Sequence, residues 1–316
     1  MKILANDGIS ANGVEELEAA GFEVSTVTVA QEQLENYINN EGIVALLVRS
    51  ATKVRKDLID ACPSLKIIGR GGVGMDNIDV EYARDKGLHV INTPSASSES
   101  VAELVFAHLF SGVRFLYDSN RNMPLDGDSK FKVLKKAYAK GTELRGKTLG
   151  VIGFGRIGQA TAKIGLGLGM KVIAHDPFME KVAVTLPFFD GQSVTFDIDI
   201  VSKETVLKEA DFLSLHVPAQ KEFVIGAAEI ELMKDGAGLV NAARGGVVDE
   251  VAMVEALKSG KLGFAGVDTF ENEPTPAVQV LMTPNVSLTP HIGAATTQAQ
   301  KRIGSELATQ IISILK

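Results

Sequence analysis

Tryptophan is absent from the 316 residues, cysteine occurs once and histidine five times. With Cys62 alone, no intramolecular disulfide can form. Its setting, after Ile59, Asp60 and Ala61 and before Pro63, predicts a buried helix end where the thiol only packs. None of the five histidines stands in HxxxH or other metal-ligand spacing, which argues against a zinc-assisted reaction. Excess positive charge is missing too: 32 Lys and Arg face 39 Asp and Glu, a net charge of -7. Nucleic acid or an anionic membrane is therefore a poor main partner, though a local basic pocket for an acidic metabolite is still allowed. No apolar run approaches a membrane span. The opening MKILANDGIS has one lysine and a short apolar run, where a secretory signal needs a longer one. We expect a soluble, cytoplasmic protein.

What is present is a rhythm. Hydrophobic residues make up 45% of the chain, enough for a sizeable core, and the length suits two domains. Short apolar runs alternate with helical patterns, the signature of parallel βαβ units. The first series predicts strands at Lys2–Ala5, Phe22–Val27, Ile43–Val48, Leu65–Ile68 and His89–Asn92. A second predicts strands at Leu149–Ile152, Lys171–His175, Asp211–His216, Gly238–Ala242, Gly263–Val267 and Val286–Leu288. Between them, NTPSASSES (Asn92–Ser100) opens a long apolar helix and marks a domain crossing, since the residue before a proline is held extended. A last amphipathic helix starts near Thr297. Two stretches break the rhythm. Asn120–Gly141 is lysine-rich with little apolar periodicity, which reads as a solvated arm, or else as a subunit contact or anion lid. Residues 182–201 alternate around Asp190-Gly191, a hairpin signal, and read as an insertion in the second domain.

The pattern GxGxxG occurs twice, at Gly69, Gly71, Gly74 and at Gly153, Gly155, Gly158. Dinucleotide binding needs more: a strand delivering the loop, a helix N-terminus facing the pyrophosphate, and an acid ending the next strand. The second copy meets all three conditions, with Asp176 as the acid. That carboxylate accepts from a ribose diol and repels a 2′-phosphate, which favours NAD over NADP. The first copy lacks the acid, since its next strand ends in Asn92. Its glycines are expected to leave amides open for a small carboxylate, so we assign it to substrate; a purely conformational role is the alternative.

Oxidising a secondary alcohol by hydride transfer needs a base for the hydroxyl proton and a cation for a substrate carboxylate. His108 inside an apolar helix and His89 at a strand start read as packing or edge residues. His175 and His216 sit at strand ends and read as positioning groups. His291, in SLTPHIGAAT, follows a strand and a proline. Arg244 lies just past a buried strand in VNAARGG, where a cation is costly without an anion. Glu273 lies past another strand end in DTFENEP. Ligands of open α/β sheets gather at the carboxyl ends of the strands, where all three fall. A glutamate bonded to the imidazole would fix its tautomer for cycling between base and acid. For Arg244 and Glu273 the alternative is a surface ion pair.

These segments, NTP…SVAELV, GFGRIG, NAARGGVVDE, DTFENEP and PHIGAAT, resemble in order and over essentially the whole chain the D-isomer-specific 2-hydroxyacid dehydrogenases. The resemblance implies two doubly wound parallel-sheet α/β domains: a Rossmann cofactor domain at 95–290, and a flavodoxin-like, discontinuous substrate domain at 1–94 and 291–316. It implies Arg244 for the substrate carboxylate and carbonyl, His291 as acid/base, and Glu273 as its partner. Its cofactor set is Gly153, Gly155, Arg156, Ile157, Gly158, Asp176, His216, Val217, Pro218, Ala242, Ala243, Arg244, Asp268, His291, Gly293 and Ala294, with Asp268 near the carboxamide. Val217 stands where many relatives have threonine. Within the family, LLVRSATKV and GRGGVGMDNID resemble the phosphoglycerate dehydrogenases. Arg49 and Arg70 could pair with a phosphate, and Arg49, Ser50, Arg70, Gly71, Gly72 and Val73 form the implied substrate set. The expected reaction is NAD-dependent oxidation of 3-phospho-D-glycerate to 3-phosphooxypyruvate in serine synthesis. Alternatives are a hydroxypyruvate, glyoxylate or D-lactate-type reductase, or an NAD-sensing, corepressor-like binding protein. The segment Val101–Gly141 resembles the family's dimer element, so a homodimer is expected. With the chain stopping at Lys316, feedback by serine through a regulatory module is not expected.

Overall fold

Parallel strands can be joined only by long crossovers, and helical crossovers cover both sheet faces, so such strands read as unbroken apolar runs. The computed structural model describes all residues, Met1–Lys316, and divides them into two compact units. One is Met1–Ser100 with Ala294–Lys316; the other is Val101–Gly293. These limits fall at 100/101 and 293/294, against 94/95 and 290/291 read from the sequence.

The first segment runs β1 (Lys2–Ala5), α1 (Ala11–Ala19), β2 (Glu23–Ser25), α2 (Leu34–Glu41), β3 (Ile43–Val48), α3 (Lys56–Ala61), β4 (Ile67–Arg70), α4 (Val80–Asp85) and β5 (His89–Asn92). Next come α5 (Ser98–Val113), α6 (Leu116–Asp126), α7 (Phe131–Ala137), β6 (Thr148–Ile152), α8 (Arg156–Gly167), β7 (Lys171–His175), β8 (Lys181–Pro187) and β9 (Ser193–Asp199). The chain continues through α9 (Lys203–Glu209), β10 (Phe212–Leu215), α10 (Ala227–Leu232), β11 (Ala237–Asn241), α11 (Glu250–Ser259), β12 (Leu262–Val267), α12 (Val278–Met282) and β13 (Val286–Leu288), and ends in α13 (Thr297–Leu315). No helix is long and apolar enough to cross a membrane.

The first unit's sheet is wholly parallel, in the flavodoxin-like order β2-β1-β3-β4-β5. Ile303, Leu307 and Ile311 of α13 pack with Ile3, Leu47 and Ile67 to bury one face, so the last helix belongs to the core of the first unit. Cys62 caps α3 and is buried, and burial pushes its thiol up to about 11, which keeps it protonated and inert. β4 begins two residues later than expected and extends through Arg70, because Val48 and Arg70 are still paired in register. Leu65 instead closes a turn, its N–H donating to Cys62 O. β2 is shorter than expected, as an edge strand paired on one side only.

The second unit has order β13-β12-β11-β10-β6-β7, all parallel. A third Rossmann strand beside β7 is reduced to one bridge, Ala174 with Ile200. β8 and β9 form the expected antiparallel hairpin ahead of Ile200, and Val184, Leu186 and Ile198 anchor it in the core beside α8. The lysine-rich stretch, expected as a solvated arm, is helical. It holds most of α6 and all of α7, and none of the residues in these two helices is buried. Periodicity missed them because a helix burying no face carries no apolar stripe. Local bonds join them instead: Tyr138 donates to Asp118 and accepts from Asn122.

Candidate active site

Order in a doubly wound sheet reverses where β6 lies between β7 and β10, and the crevice at the carboxyl ends there is where such sheets take ligands. The Gly153–Gly158 loop leaves β6 at this point. Gly153 has φ +88°, a left-handed conformation that favours glycine, and a Cβ there would lie 2.6 Å from His216 O. Phe154 is completely buried, contributing about 1.5–3 kcal/mol to anchoring the loop. Gly158 rests against the carbonyl of Gly153, where any side chain would overlap. Gly155 is different. Its φ is -68° and a Cβ on it would meet nothing within 4 Å, so neither backbone nor packing requires glycine. The open space lies at the N-cap of α8, which has no side-chain cap, so first-turn N–H groups and the positive end of the helix dipole face it. That is the cradle a pyrophosphate fits.

Asp176 follows β7. Its Oδ2 accepts from Phe154 N at 2.8 Å and its Oδ1 from Phe178 N at 3.0 Å, which fixes the acid beside the glycine loop. Across β6, His216 follows β10; burial pushes its imidazole down to about 3, so it is neutral. Its Nε2 meets Ser214 Oγ at 2.9 Å, while the buried Nδ1 has no partner within the protein. Val217 and Pro218 follow. These residues fit a bound NAD: open helix amides, an acid beside the glycine loop and an unpaired buried donor-acceptor atom. Arg156 and Ile157 begin α8, and Ala242 and Ala243 follow β11.

The catalytic candidates leave three neighbouring strands at the same edge: Arg244 after β11, Glu273 after β12 and His291 after β13. Their loops interlock. Asn241 caps the first, accepting from Ala243 N at 3.1 Å and donating to Arg244 O at 3.0 Å. Gly245 lies flat against the carbonyl of Phe270, too close for any side chain. Phe270 N donates to Glu273 Oε1 at 2.9 Å, and Glu273 Oε2 takes His291 Nδ1 at 2.8 Å. A contiguous chain of contacts therefore runs from the Arg244 loop to the imidazole. A carboxylate only accepts, so Nδ1 carries the proton and Nε2 presents a lone pair. With the side chain 38% exposed, a substrate can reach it.

One pairing escaped sequence reading. Glu250 and Glu271 exchange bonds, each carboxylate accepting the other's backbone N–H at 2.9 Å, which pins the start of α11 to the Glu273 loop. Burial raises the pKa of Glu250, as do the charges of Glu271 and Glu273, against the lowering effect of the Glu271 N–H. No spacing rule links positions 250 and 271. Asp268, expected at the cofactor, is 1% exposed. It accepts from Thr289 Oγ1, from Ile292 N at 2.8 Å and from Gly293 N at 2.9 Å.

In the first unit, Arg49 donates to Gln300 Oε1 of α13, and Arg70 donates to Ser50 Oγ and to Gly71 O. Burial lowers the pKa of Arg49, opposed by the charge of Asp7. The expectation of open glycine amides does not hold at two positions. Gly71 N donates to Val48 O and Gly72 N to Arg70 O, both at 2.9 Å, because strand pairing and a tight turn consume them. Val73 is exposed, and Ala294 falls in this unit.

Residues 106–293, more than half the chain, match the D-isomer-specific 2-hydroxyacid dehydrogenase NAD-binding domain. The chain belongs to that family. It is an NAD-dependent oxidoreductase acting on 2-hydroxy acids. It is 44% identical to the hydroxypyruvate reductase of Thermotoga maritima, over 93% of this chain and 91% of that one. It is 42% identical to the D-3-phosphoglycerate dehydrogenase of Methanocaldococcus jannaschii, covering all of this chain but only 58% of that protein. Among solved structures, a Thermus thermophilus protein matches with TM-score 0.86 and 31% identity over 100% of this chain and 97% of the other.

Proposed function

We propose that this dehydrogenase oxidises 3-phospho-D-glycerate at C2 to 3-phosphooxypyruvate, the reaction that feeds serine synthesis. The observation that carries the substrate choice is the pair of guanidinium groups on adjacent strand ends, Arg49 just past β3 and Arg70 closing β4, with Ser50 bonded to the second. Two such cations suit a dianionic phosphate, which guanidinium forks bind bidentately; lactate and glyoxylate carry no second anionic group to match them.

In this reading Arg244 binds the substrate carboxylate and orients the C2 hydroxyl. His291 Nε2 removes the hydroxyl proton, and the imidazolium that forms is stabilised by Glu273 through Nδ1–H. NAD, when bound, supplies the acceptor for the C2 hydride. Glu273 keeps the proton on Nδ1 throughout, so in the reverse direction the same Nε2 returns a proton to the carbonyl oxygen. The strand-end setting of Asp176, Gly155 and His216 supports their assignment to the cofactor.

Steady-state rates with NAD or NADH across 3-phosphoglycerate, hydroxypyruvate, glyoxylate and D-lactate test the proposal. Arg49→Ala should raise KM for phosphoglycerate about tenfold, a loss of about 1.4 kcal/mol, and leave KM for hydroxypyruvate within about twofold. Unchanged phosphoglycerate kinetics would sink the phosphate assignment. A hydroxypyruvate reductase is the second reading, favoured by the Thermotoga relative that matches over nearly its full length. A second copy of this chain is the partner proposed for α6 and α7, where Leu125, Phe131 and Val133 stand exposed. Light scattering of Leu125→Asp against the parent checks it.

A further inference from the structure

His108 lies in mid-α5 and is 2% exposed. A buried imidazole is costly unless both nitrogens are bonded, and here both are. Nδ1 meets Ser287 Oγ at 2.9 Å and Nε2 meets Thr289 Oγ1 at 3.0 Å. The sheet is cut to receive the ring. Gly266, inside β12, pairs with Ser287 of β13, and a Cβ on Gly266 would lie 2.6 Å from His108 Cβ and 2.8 Å from Cγ. A glycine in a strand interior is costly unless something approaches there; the imidazole is what approaches.

The protons in this cluster can be assigned. Asp268 is an acceptor only, so the hydroxyl proton of Thr289 goes to Asp268 Oδ1. Thr289 Oγ1 must then accept, and His108 carries its proton on Nε2. Its Nδ1 is left to accept from the Ser287 hydroxyl. Burial lowers the pKa of His108, opposed by the nearby charge of Asp268, in keeping with this neutral tautomer. Asp268 in turn holds the segment carrying the catalytic imidazole. Its carbonyl accepts from His291 N at 2.8 Å, and its carboxylate accepts from Ile292 N and Gly293 N. His291 has φ +54°, a left-handed conformation that a residue other than glycine keeps only if its surroundings enforce it.

We propose that His108 is a positioning residue for His291, acting through Thr289 and Asp268. It fixes the Thr289 hydroxyl, which fixes the Asp268 carboxylate, which fixes the backbone just after the base at Ile292 and Gly293. The inference rests on the reading of His291 as acid/base. It predicts an effect on turnover rather than on binding, because no member of this relay needs to touch substrate to exert it.

The full chain is assayed with 3-phospho-D-glycerate and NAD, and with hydroxypyruvate and NADH, alongside NADH fluorescence titration. His108→Leu should lower kcat about tenfold, since small misplacements of a catalytic group are expensive, while KM and NADH affinity stay within about twofold. His108→Gln, whose side-chain amide can still donate to Thr289, should recover kcat to within about threefold of the parent. Thr289→Val should reproduce the leucine defect, and the double variant should be no slower than either single one, as expected for a shared path. Should His108→Leu not fold, Thr289→Ser against Thr289→Val asks the same question: serine keeps the hydroxyl and should be fast, valine slow. Unchanged kcat in His108→Leu and Thr289→Val, a purely KM effect, a glutamine variant as slow as leucine, or additive losses would each overturn the positioning role. If His291→Ala abolishes turnover while the relay variants stay fast, only this inference fails. If His291→Ala keeps turnover, the acid/base assignment fails and takes the inference with it.

Discussion

Gly69, Gly71 and Gly74 share their spacing with Gly153, Gly155 and Gly158, and both sets leave the carboxyl end of a central parallel strand. Their surroundings differ. After Gly155 the chain enters α8 at once, whereas after Gly71 no helix begins until Val80. The amides of Gly71 and Gly72 are consumed by Val48 O and Arg70 O, while α8 starts with no side-chain cap. A Cβ on Gly69 would lie 2.6 Å from Leu47 and one on Gly71 3.3 Å from Ile303, whereas one on Gly155 would meet nothing within 4 Å. A glycine that the protein itself does not need is the one to suspect of serving a ligand. The spacing alone reports only close backbone approach; an uncapped helix starting within the loop is the feature that lets it hold an anion.

The largest expected effect tests the second loop from inside. Gly158→Ala would drive a Cβ into the backbone carbonyl of Gly153, which cannot rotate away. We expect a loss of about 3 kcal/mol in chemical denaturation, at the upper end of overpacking costs. Gly155→Val is the sharper test. The backbone permits it and a Cβ there meets nothing within 4 Å, so stability should fall by no more than the roughly 1 kcal/mol that valine costs at a helix N-cap. NADH titration should weaken about 100-fold, or roughly 2.7 kcal/mol, because the side chain fills the cradle. Normal NADH affinity in this variant would break the comparison outright.

Legibility followed the same division. β1, β3, β5, β7 and β13 keep the limits predicted for them; in β1 and β3, which are almost wholly buried, no polar gap interrupts the apolar run. Asp190-Gly191 announced its hairpin through turn chemistry, and the Arg244, Glu273 and His291 loops stood out as charges beyond buried strands. The rest depended on tertiary proximity. Nothing in the spacing of 108, 268, 287 and 289 shows that a helix-borne imidazole reaches two hydroxyls near the edge of a sheet, although a glycine at 266 inside β12 was a visible hint. α6 and α7 were missed for the opposite reason: they bury no face, so hydrophobic periodicity had nothing to report.

The first loop should respond more mildly and in a different observable. Gly69→Ala places a Cβ 2.6 Å from Leu47 Cδ2 in a packed core, and about 1–2 kcal/mol of stability should be lost while NADH affinity is unchanged. Gly71→Ala is the smallest effect and the most discriminating. Its nearest neighbours are Ile303 Cγ2 at 3.3 Å and Arg49 Cγ at 3.7 Å, and its φ is not in the left-handed region. Crowding is slight, and alanine gains back about 0.4–1 kcal/mol by restricting the unfolded chain. The two contributions nearly cancel, so the denaturation midpoint should barely move. Because the Gly71 amide is already bonded to Val48 O, alanine removes no donor from any ligand. NADH titration should match the parent. An effect on KM for phosphoglycerate alone would mark the loop as a substrate element shaped by its neighbours Arg49 and Arg70. A drop in NADH affinity like that of Gly155→Val would mean that the start of α8 does not distinguish the two loops.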